Sequence, residues 1–243
     1  MRHYGIIGKP LEHSFSAEWF KRFFRQEGID ADYKEHQPTG ELSVADVADW
    51  DGFNVTYPYK QTIIPLLDEL DDTARRIGAV NTVKRTQSNH LKGFNTDCIG
   101  FLRSLQKWFD TLQTMPEQAL ILGTGGAAQA VAYALQRTGI RYHFVSRDAG
   151  KGVPYSALTR EMVEQHPLVV QCTPLGMLPD SRSCPPFPYD FLSHHHLLFD
   201  CIYNPPKTLF MQKGEERGAA VRNGFEMLLS QAEAAWQIWQ HNE

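Results

Sequence analysis

The sequence predicts an α/β protein made of two domains, and three observations support this fold class. Through residues 1–100, short apolar runs alternate with amphipathic helical patterns, the order that favours a mainly parallel sheet. Over residues 118–145 a strand, a glycine-rich turn, a helix and a further strand follow one another, as in a Rossmann-like domain. The length of 243 residues suits two small domains.

Composition and charge narrow the range of partners. Apolar residues make up 42% of the chain, and the net charge of −4 with a pI near 6.2 argues against nucleic acid. No apolar stretch is long enough to span a bilayer, and the N-terminus has no signal-peptide pattern. The four cysteines lack metal-ligand or redox spacing, and the histidines at 194–196 indicate a polar loop. We therefore expect a cytoplasmic protein, monomer or homodimer, with no metal, membrane or nucleic-acid partner.

The first strand, Tyr4–Gly8, precedes an amphipathic helix. The apolar face of that helix consists of four aromatic residues, Trp19, Phe20, Phe23 and Phe24. Ser16 is its predicted N-cap, and Gly28 ends it. Capping alone explains Ser16, but Ser14 and Ser16 together also place two hydroxyls beside a helix N-terminus, where a carboxylate binds readily.

Lys60 follows a strand that is expected to end near Val55, after a strand at 31–35 and a brief helix at 44–49. The chain turns at Pro58 and is predicted to present Lys60 at the head of a helix over 61–70. A cation is unfavourable at that end of a helix dipole. A solvated surface lysine is one interpretation, and the polar neighbours in residues 54–57 favour a functional one.

Two further polar residues follow in the first domain. Asn81 lies in an apolar run predicted as a strand over 77–84, where a buried amide must be hydrogen-bonded, either to the backbone or to a ligand. A strand over 91–94 comes next. Asp97 then precedes a helix reaching about Phe109, and it serves either as the N-cap of that helix or as the carboxylate that keeps Lys60 charged and oriented.

The second domain opens with a dinucleotide-binding fingerprint, after a polar link over 111–117. The strand Gln118–Leu122, a glycine turn and a helix over 130–135 stand in the order that this fingerprint requires, with Ala128 at its third glycine position. The predicted cofactor-binding residues of the turn are Gly123, Gly125, Gly126 and Ala127.

The next predicted strand is Arg141–Val145, and Ser146, Arg147 and Asp148 follow it. An acidic residue at this point usually binds the ribose hydroxyls of NAD, whereas an arginine accommodates the 2′-phosphate of NADP. We favour NADP, bound by Ser146 and Arg147 with Asp148 turned outward, and keep NAD as the alternative cofactor.

Four motifs resemble those of shikimate dehydrogenases, and the similarity runs from Gly5 to Gln231. The motifs are Asn-Val-Thr-Tyr-Pro-Tyr-Lys at 54–60, Gly-Ala-Val-Asn-Thr at 78–82, Asn-Thr-Asp-x-x-Gly at 95–100 and Gly-x-x-Met-Leu-x-x-Gln-Ala at 224–232. The resemblance implies that Lys60 and Asp97 are the catalytic pair. It also implies a set of substrate-binding residues: Ser14 and Ser16 for a carboxylate, Thr56, Asn81 and Gln231 for ring hydroxyls, and Tyr203 facing the cleft.

The resemblance extends to the cofactor half and to the domain boundaries. It adds three cofactor-binding residues, Thr173, Met177 and Gly224. The expected domains are 1–100, completed by a C-terminal helix within 222–243, and 101–221. The chain departs from the family at Asp148, at Gln171, where the family has asparagine, and over 151–168, where it is short.

The implied reaction is the reversible, NADPH-dependent reduction of 3-dehydroshikimate to shikimate, in chorismate and aromatic amino-acid biosynthesis. Two alternatives remain: an NAD-preferring quinate/shikimate dehydrogenase, and a catalytically silent relative that senses a ligand. The sequence leaves open which member of the Lys60–Asp97 pair transfers the proton.

Overall fold

A computed structural model of the chain describes residues 1–11 and 14–241. The chain divides into two compact units, one formed by Met1–Thr96 with Ala232–Glu243 and the other by Asp97–Gln231. Each unit contains one six-stranded sheet with helices, which confirms the predicted α/β class. No helix in the described part of the chain has the length and apolar character needed to cross a membrane.

Before residue 96, the described residues of the first unit form six strands and two α-helices. They are β1 Arg2–Ile7, α1 Phe15–Gln26, β2 Ala31–His36, β3 Gly52–Val55, β4 Glu69–Leu70, α2 Asp72–Ile77, β5 Thr82–Arg85 and β6 Leu91–Phe94. The sheet order is β2-β1-β3-β5-β6-β4. β1 pairs in parallel with β2 and β3, and β4 with β6, while β5 is antiparallel to β3 and β6. The sheet is therefore mainly parallel, as predicted, with one reversed strand.

The core of the first unit is rich in aromatic rings. Tyr4 of β1 stacks on Trp239 with ring centroids 4.7 Å apart, and Phe20 of α1 stacks on Tyr33 at the same distance. The indole N–H of Trp239 donates to the carbonyl of Val83 at 2.9 Å. The end of the C-terminal helix is thus built into this unit by both packing and hydrogen bonding.

The prediction of a helix over 61–70 is wrong. The segment forms successive turns, a short 3₁₀ helix at Ile64–Leu66 and the strand β4. Pro65 lacks an N–H and disfavours helical backbone at the residue before it, so an α-helix is not stable there. Lys60 consequently lies in a turn, where its carbonyl accepts the N–H of Val80 at 2.7 Å.

The start of α1 and the presence of α2 also differ from the prediction. Ser14, not Ser16, caps α1, because its Oγ accepts the N–H of Ala17 at 3.4 Å. Ser16 lies in the first turn and is buried. Helix α2 is missing from the prediction, although Asp71 caps its start and Gly78, at φ 69°, ends it in the left-handed conformation.

The second unit is a doubly wound α/β fold. Its elements are α3 Asp97–Leu112, β7 Gln118–Leu122, α4 Gly126–Arg137, β8 Arg141–Ser146, β9 Val153–Pro154, α5 Arg160–Gln165, β10 Leu168–Gln171, β11 Leu197–Asp200, α6 Leu209–Glu215, β12 Ala220–Arg222 and α7 Phe225–Gln240. The sheet order is β12-β11-β10-β7-β8-β9, and every pairing is parallel. This is the strand order of a Rossmann domain, as predicted.

The helices at the two unit boundaries have specific placements. Asp97 is the first residue of α3 rather than the residue before it. Helix α7 runs without interruption past the boundary between Gln231 and Ala232, so its first turns belong to the second unit and its last turns to the first.

Candidate active site

The predicted substrate residues of the first unit lie at one edge of its sheet. The carboxyl ends of β1, β3 and β6 and the amino end of β5 share that edge, because β5 is the reversed strand. The residues that follow or precede these ends are Ser14, Ser16, Thr56, Lys60, Asn81 and Thr96. Topology therefore groups residues that are up to 82 positions apart in sequence.

The loops after β1 and β3 contact each other closely. The N–H of Thr56 donates to Ile7 O at 2.9 Å, and the N–H of Lys9 donates to Tyr57 O at 3.0 Å. Gly8 permits this approach, since a Cβ at that position would lie only 2.2 Å from Cγ2 of Thr56. Thr56 is thereby held beside Gly8, directly after β1.

Asn81 is bonded to the segment that precedes Asp97. Its Oδ1 accepts the N–H of Thr96 at 2.6 Å, and its Nδ2 donates to Oγ1 of Thr96 at 3.0 Å. Asn54, also buried, donates to the carbonyl of Asn81 at 3.2 Å and accepts the hydroxyl of Tyr33 at 2.7 Å. Asn81 thus has the structural bonds that a buried amide requires, and its role towards a substrate stays a prediction.

The two predicted catalytic residues lie in different units. Lys60 is half-buried in the turn after β3, in the first unit. Asp97 is buried in the first turn of α3 and follows Thr96 directly in the chain. The N-terminus of a helix stabilises a carboxylate, so Asp97 is placed where a negative charge is favoured. The pairing of these two side chains stays a prediction.

The predicted cofactor residues of the second unit also follow the carboxyl ends of its strands. Since all pairings in this sheet are parallel, those ends lie at one edge, where open α/β sheets bind ligands. The residues at this edge are Gly123, Gly125, Gly126 and Ala127 after β7, Ser146 at the end of β8 and Arg147 after it, Thr173 and Met177 after β10, Tyr203 after β11, and Gly224 after β12. Their individual roles stay predictions.

The glycine turn after β7 has the geometry of an anion-binding loop. Gly123 has φ 109°, a conformation that side chains disfavour, and its N–H donates to Val145 O at 2.9 Å. Gly125 is the N-cap of α4 and has no side chain to occupy the N–H groups of the first turn. This helix N-terminus is chemically suited to a diphosphate.

Asp148 is held by its own turn. Its Oδ1 accepts the N–H of Gly150 at 3.0 Å, and its Oδ2 lies 3.6 Å from Nζ of Lys151. Arg147, in contrast, is exposed just after β8. The carboxylate of Asp148 is thus bonded within its own turn, whereas the exposed guanidinium of Arg147 is accessible to a ligand phosphate.

Gln231 lies against the first turns of α3. A Cβ at Gly100 would lie 2.4 Å from the carbonyl oxygen of Met227 and 3.0 Å from Cβ of Gln231. Helices α3 and α7 therefore cross closely at Gly100, which is one turn after Asp97 on the same face. Gln231 is buried and donates from Nε2 to Leu228 O at 3.0 Å.

Sequence reasoning assigned no role to the buried polar residues that end β10 and β11. Gln171 and Asp200 are register partners with no exposed surface. Asp200 accepts the hydroxyl of Thr208 at 2.6 Å and the N–H of Ile202 at 2.9 Å, and burial raises its pKa to about 7. A polar residue closing an apolar run is the one signal that the sequence offered for either position.

Among the described residues, the cysteines and the histidine run at 194–196 do not form a metal site. The sulfur atoms of Cys172 and Cys201 lie 3.7 Å apart, a contact that their separation of 29 residues does not indicate. His196 is buried and its Nε2 lies 3.1 Å from Val163 O. Within residues 1–11 and 14–241, no group of three or more His, Cys, Asp or Glu side chains could hold a metal ion.

Comparison with known proteins identifies relatives along the whole chain. Residues 6–83 match the family model described as shikimate dehydrogenase substrate binding domain. The chain is 36% identical to a shikimate dehydrogenase (NADP(+)) of Desulforamulus reducens, an alignment that covers 97% of this chain and 88% of the relative.

Solved structures agree with this match. The crystal structure of shikimate dehydrogenase from Aquifex aeolicus superimposes with a TM-score of 0.87 at 34% identity, over 99% of this chain and 92% of the other. The Thermus thermophilus shikimate 5-dehydrogenase in complex with NADP(H) and shikimate gives a TM-score of 0.86 at 28% identity, over 99% and 94% of the two chains. The chain belongs to the shikimate dehydrogenase family.

Proposed function

We propose that this protein catalyses the reversible reduction of 3-dehydroshikimate to shikimate with NADPH as the hydride donor, as a step of chorismate and aromatic amino-acid biosynthesis. The observation that carries the proposal is the 36% identity to an NADP(+)-dependent relative over 97% of the chain. We further propose that the enzyme acts in the cytoplasm as a monomer or homodimer.

The first-unit edge supplies groups suited to a hydroxylated carboxylic acid. Ser14 uses its Oγ as an acceptor for the N–H of Ala17, so the hydroxyl hydrogen remains available to donate to a carboxylate. Ser16 adds a second hydroxyl in the first turn of α1. Thr56, Asn81 and Gln231 then bind ring hydroxyls, and Tyr203 contacts the substrate.

Lys60 and Asp97 act at the carbonyl that is reduced. Bound NADPH supplies the hydride, and negative charge grows on the carbonyl oxygen as the hydride arrives. An ammonium group at that oxygen stabilises the transition state more than the ground state, which is how it lowers the barrier. Asp97 keeps the ammonium charged and oriented, and one of the two groups passes a proton to the oxygen.

The second-unit edge fits a dinucleotide phosphate. The N–H groups at the start of α4 donate to the diphosphate, next to Gly123, Gly125, Gly126 and Ala127. Ser146 and Arg147 bind the 2′-phosphate, and Lys151, which already offsets Asp148, adds positive charge nearby. Thr173, Met177 and Gly224 contact the cofactor from the ends of β10 and β12.

The proposal is tested by following NADPH consumption with 3-dehydroshikimate, repeated with NADH and, in the oxidative direction, with shikimate and quinate. We expect turnover with NADPH and 3-dehydroshikimate and much less with NADH. Higher turnover with NADH and quinate would identify the NAD-preferring relative that the presence of Asp148 favours. Tight binding of shikimate without turnover would identify a ligand sensor.

A further inference from the structure

Gln171 is a buried amide at the centre of the second-unit sheet. It is the last residue of β10, which lies between β7 and β11, and it has no exposed surface. A buried amide is costly unless its hydrogen-bonding capacity is satisfied. That capacity consists of two N–H donors and an oxygen with two acceptor sites.

The loop that follows β10 satisfies all of this capacity. Nε2 of Gln171 donates to Thr173 O at 3.1 Å and to Leu175 O at 2.9 Å. Oε1 accepts the N–H of Thr173 at 2.7 Å and its hydroxyl at 2.9 Å. The amide is therefore saturated by residues 173–175 and fixes the path of the backbone there.

The fixed loop packs against the glycine turn after β7. Cγ2 of Thr173 lies 3.1 Å from the position that a Cβ would take at Gly123. At its far end the loop is held by Gly176, whose N–H donates to Oγ of Ser183 at 2.9 Å. Gln171 thus determines where Thr173 lies relative to the start of the dinucleotide fingerprint.

We infer that Gln171 is a positioning residue for the dinucleotide, acting through Thr173 and the glycine turn. The inference rests on the proposed function, which places Thr173 and Met177 on the cofactor. Asparagine is one methylene shorter, so its amide would lie closer to its own backbone than the amide that bonds Thr173 and Leu175 here. Glutamate has no N–H donors and would add a second carboxyl group beside Asp200, its register partner.

The test uses Gln171→Met, which keeps the length of the side chain and removes its hydrogen bonds. We expect the Kd values of NADPH and NADH, measured by fluorescence titration, to rise together by about tenfold, since a loop without these bonds must be ordered on binding. The KM for 3-dehydroshikimate stays within about twofold of the wild-type value. Arg147→Ala is the contrasting variant, because it weakens the binding of NADPH alone.

A second pair of variants keeps the inference testable if Gln171→Met folds poorly. Thr173→Val removes the hydroxyl that donates to Gln171, and Thr173→Ser retains it. We expect Thr173→Val to weaken the binding of both cofactors and Thr173→Ser to restore it. The double variant Gln171→Met/Thr173→Val should bind cofactor no more weakly than Gln171→Met, since both changes remove the same contact.

Two results would overturn the inference. A lower Tm for Gln171→Met with unchanged Kd for both cofactors would make Gln171 a purely structural residue, and an equal rise in the KM for 3-dehydroshikimate would indicate general damage. The proposed function is refuted by different results. A wild-type protein that binds a nicotinamide dinucleotide but does not reduce 3-dehydroshikimate refutes the substrate and leaves the Gln171 result standing, whereas one that binds neither dinucleotide refutes both.

Discussion

Lys60 lies in a turn after β3, and this position changes what its charge contributes. The sequence suggested a lysine opposed by a helix dipole, but residues 61–70 form turns, a 3₁₀ helix and a strand. No α-helix begins in residues 61–70, so the unfavourable effect of an α-helix dipole is absent there. The proposed action of the Lys60 charge on a reacting oxygen is therefore not opposed by a helix dipole.

Replacing Lys60 with alanine is expected to lower kcat by about 10²–10⁴, the range usual for loss of a proton-transfer group. The physical reason is that the developing oxyanion loses its nearby cation. Steady-state kinetics with NADPH and 3-dehydroshikimate measure the effect.

Two further variants separate charge from position in this experiment. Lys60→Arg keeps the positive charge but changes its geometry and does not release a proton readily, so partial activity there would indicate an electrostatic role. Lys21→Ala removes an exposed lysine on α1 that pairs with Glu35 at 3.7 Å, and should leave kcat unchanged. Normal turnover in Lys60→Ala excludes Lys60 from catalysis.

Asp200 predicts a pH dependence of stability. Burial raises its pKa from 3.8 to about 7, so the folded protein keeps this proton after the unfolded chain has lost it. Its contribution to the free energy of unfolding is fully present below about pH 4 and is lost as the pH rises through about 7. The loss amounts to about 4 kcal/mol, at 1.36 kcal/mol per pKa unit.

Asp200→Asn removes this titration and keeps both hydrogen-bond partners, Ile202 and Thr208, within reach. We compare the free energy of unfolding of the variant with that of the wild type at each pH. The difference should favour the variant by about 2–3 kcal/mol more at pH 8 than at pH 5. Urea unfolding at the two pH values gives the difference. Asp180→Asn, at an exposed position, is the control and should follow the wild-type curve. Parallel curves for Asp200→Asn and wild type would contradict the assignment.

At the scale of elements, the crossing of α3 and α7 depends on Gly100. A Cβ there would approach the carbonyl of Met227 to 2.4 Å, so the two helices must separate in Gly100→Ala. Separation displaces Gln231 from the turn that carries Asp97. The glycine of the Asn-Thr-Asp-x-x-Gly motif therefore has a packing role that its place in the motif does not reveal.

Gly100→Ala is expected to destabilise the protein by about 1–3 kcal/mol, the usual cost of overpacking. Because Gln231 moves with α7, we also expect a higher KM for 3-dehydroshikimate and little change in the Kd of NADPH. Thermal unfolding and steady-state kinetics measure the two effects. Arg103→Ala, at an exposed position of α3, provides the matched control. An unchanged KM in Gly100→Ala would remove the link between the crossing and Gln231.

Elements with strong local patterns could be predicted from the sequence. Helix α1, with its aromatic face, and the order of strand, glycine turn and helix at β7 and α4 were predicted, because periodicity and turn chemistry are local. The predicted helix over 130–135 was too short, since α4 begins at Gly126. The helix over 61–70 was wrong because Pro65 outweighed the apolar pattern. Strand β12 and helix α6 were missed because they are short, and their stability comes from packing in the sheet rather than from their own sequences.

In the candidate site, too, local features could be predicted from the sequence and long-range contacts could not. The motif residues were found by type and spacing, but the bonds of Gln171 and the contact of Cys172 with Cys201 depend on β10 and β11 being neighbours in register. Register is set by long-range pairing, which no single stretch of sequence contains. The Asp148–Lys151 ion pair, in contrast, spans three residues and was within reach of local reasoning.

At the scale of the whole molecule, the chain passes between its two units twice. The first passage follows Thr96, and the second lies inside helix α7. If the second unit alone unfolded, α7 would lose its turns before Ala232. The turns that remain, which include Trp239, would then form a shorter helix. Since helix formation is cooperative, each unit loses stability when the other unfolds.

We therefore expect one calorimetric transition, with a ratio of calorimetric to van't Hoff enthalpy near unity. NADPH at about 100 times its Kd should move the whole transition upward by roughly 5–10 °C. Differential scanning calorimetry with and without NADPH measures both quantities. Two peaks, of which only one responds to NADPH, would show that the units unfold independently.

The turn that holds Asp148 has a consequence for how this lineage can change. The acidic group that an NAD enzyme employs is already in place, restrained by one lysine and one backbone amide. If Arg147 binds the 2′-phosphate as proposed, a switch of coenzyme needs no newly acquired acid, only the loss of a guanidinium and the release of a carboxylate. Arg147 and Lys151 are then the two positions at which substitution is expected to shift the coenzyme preference towards NADH.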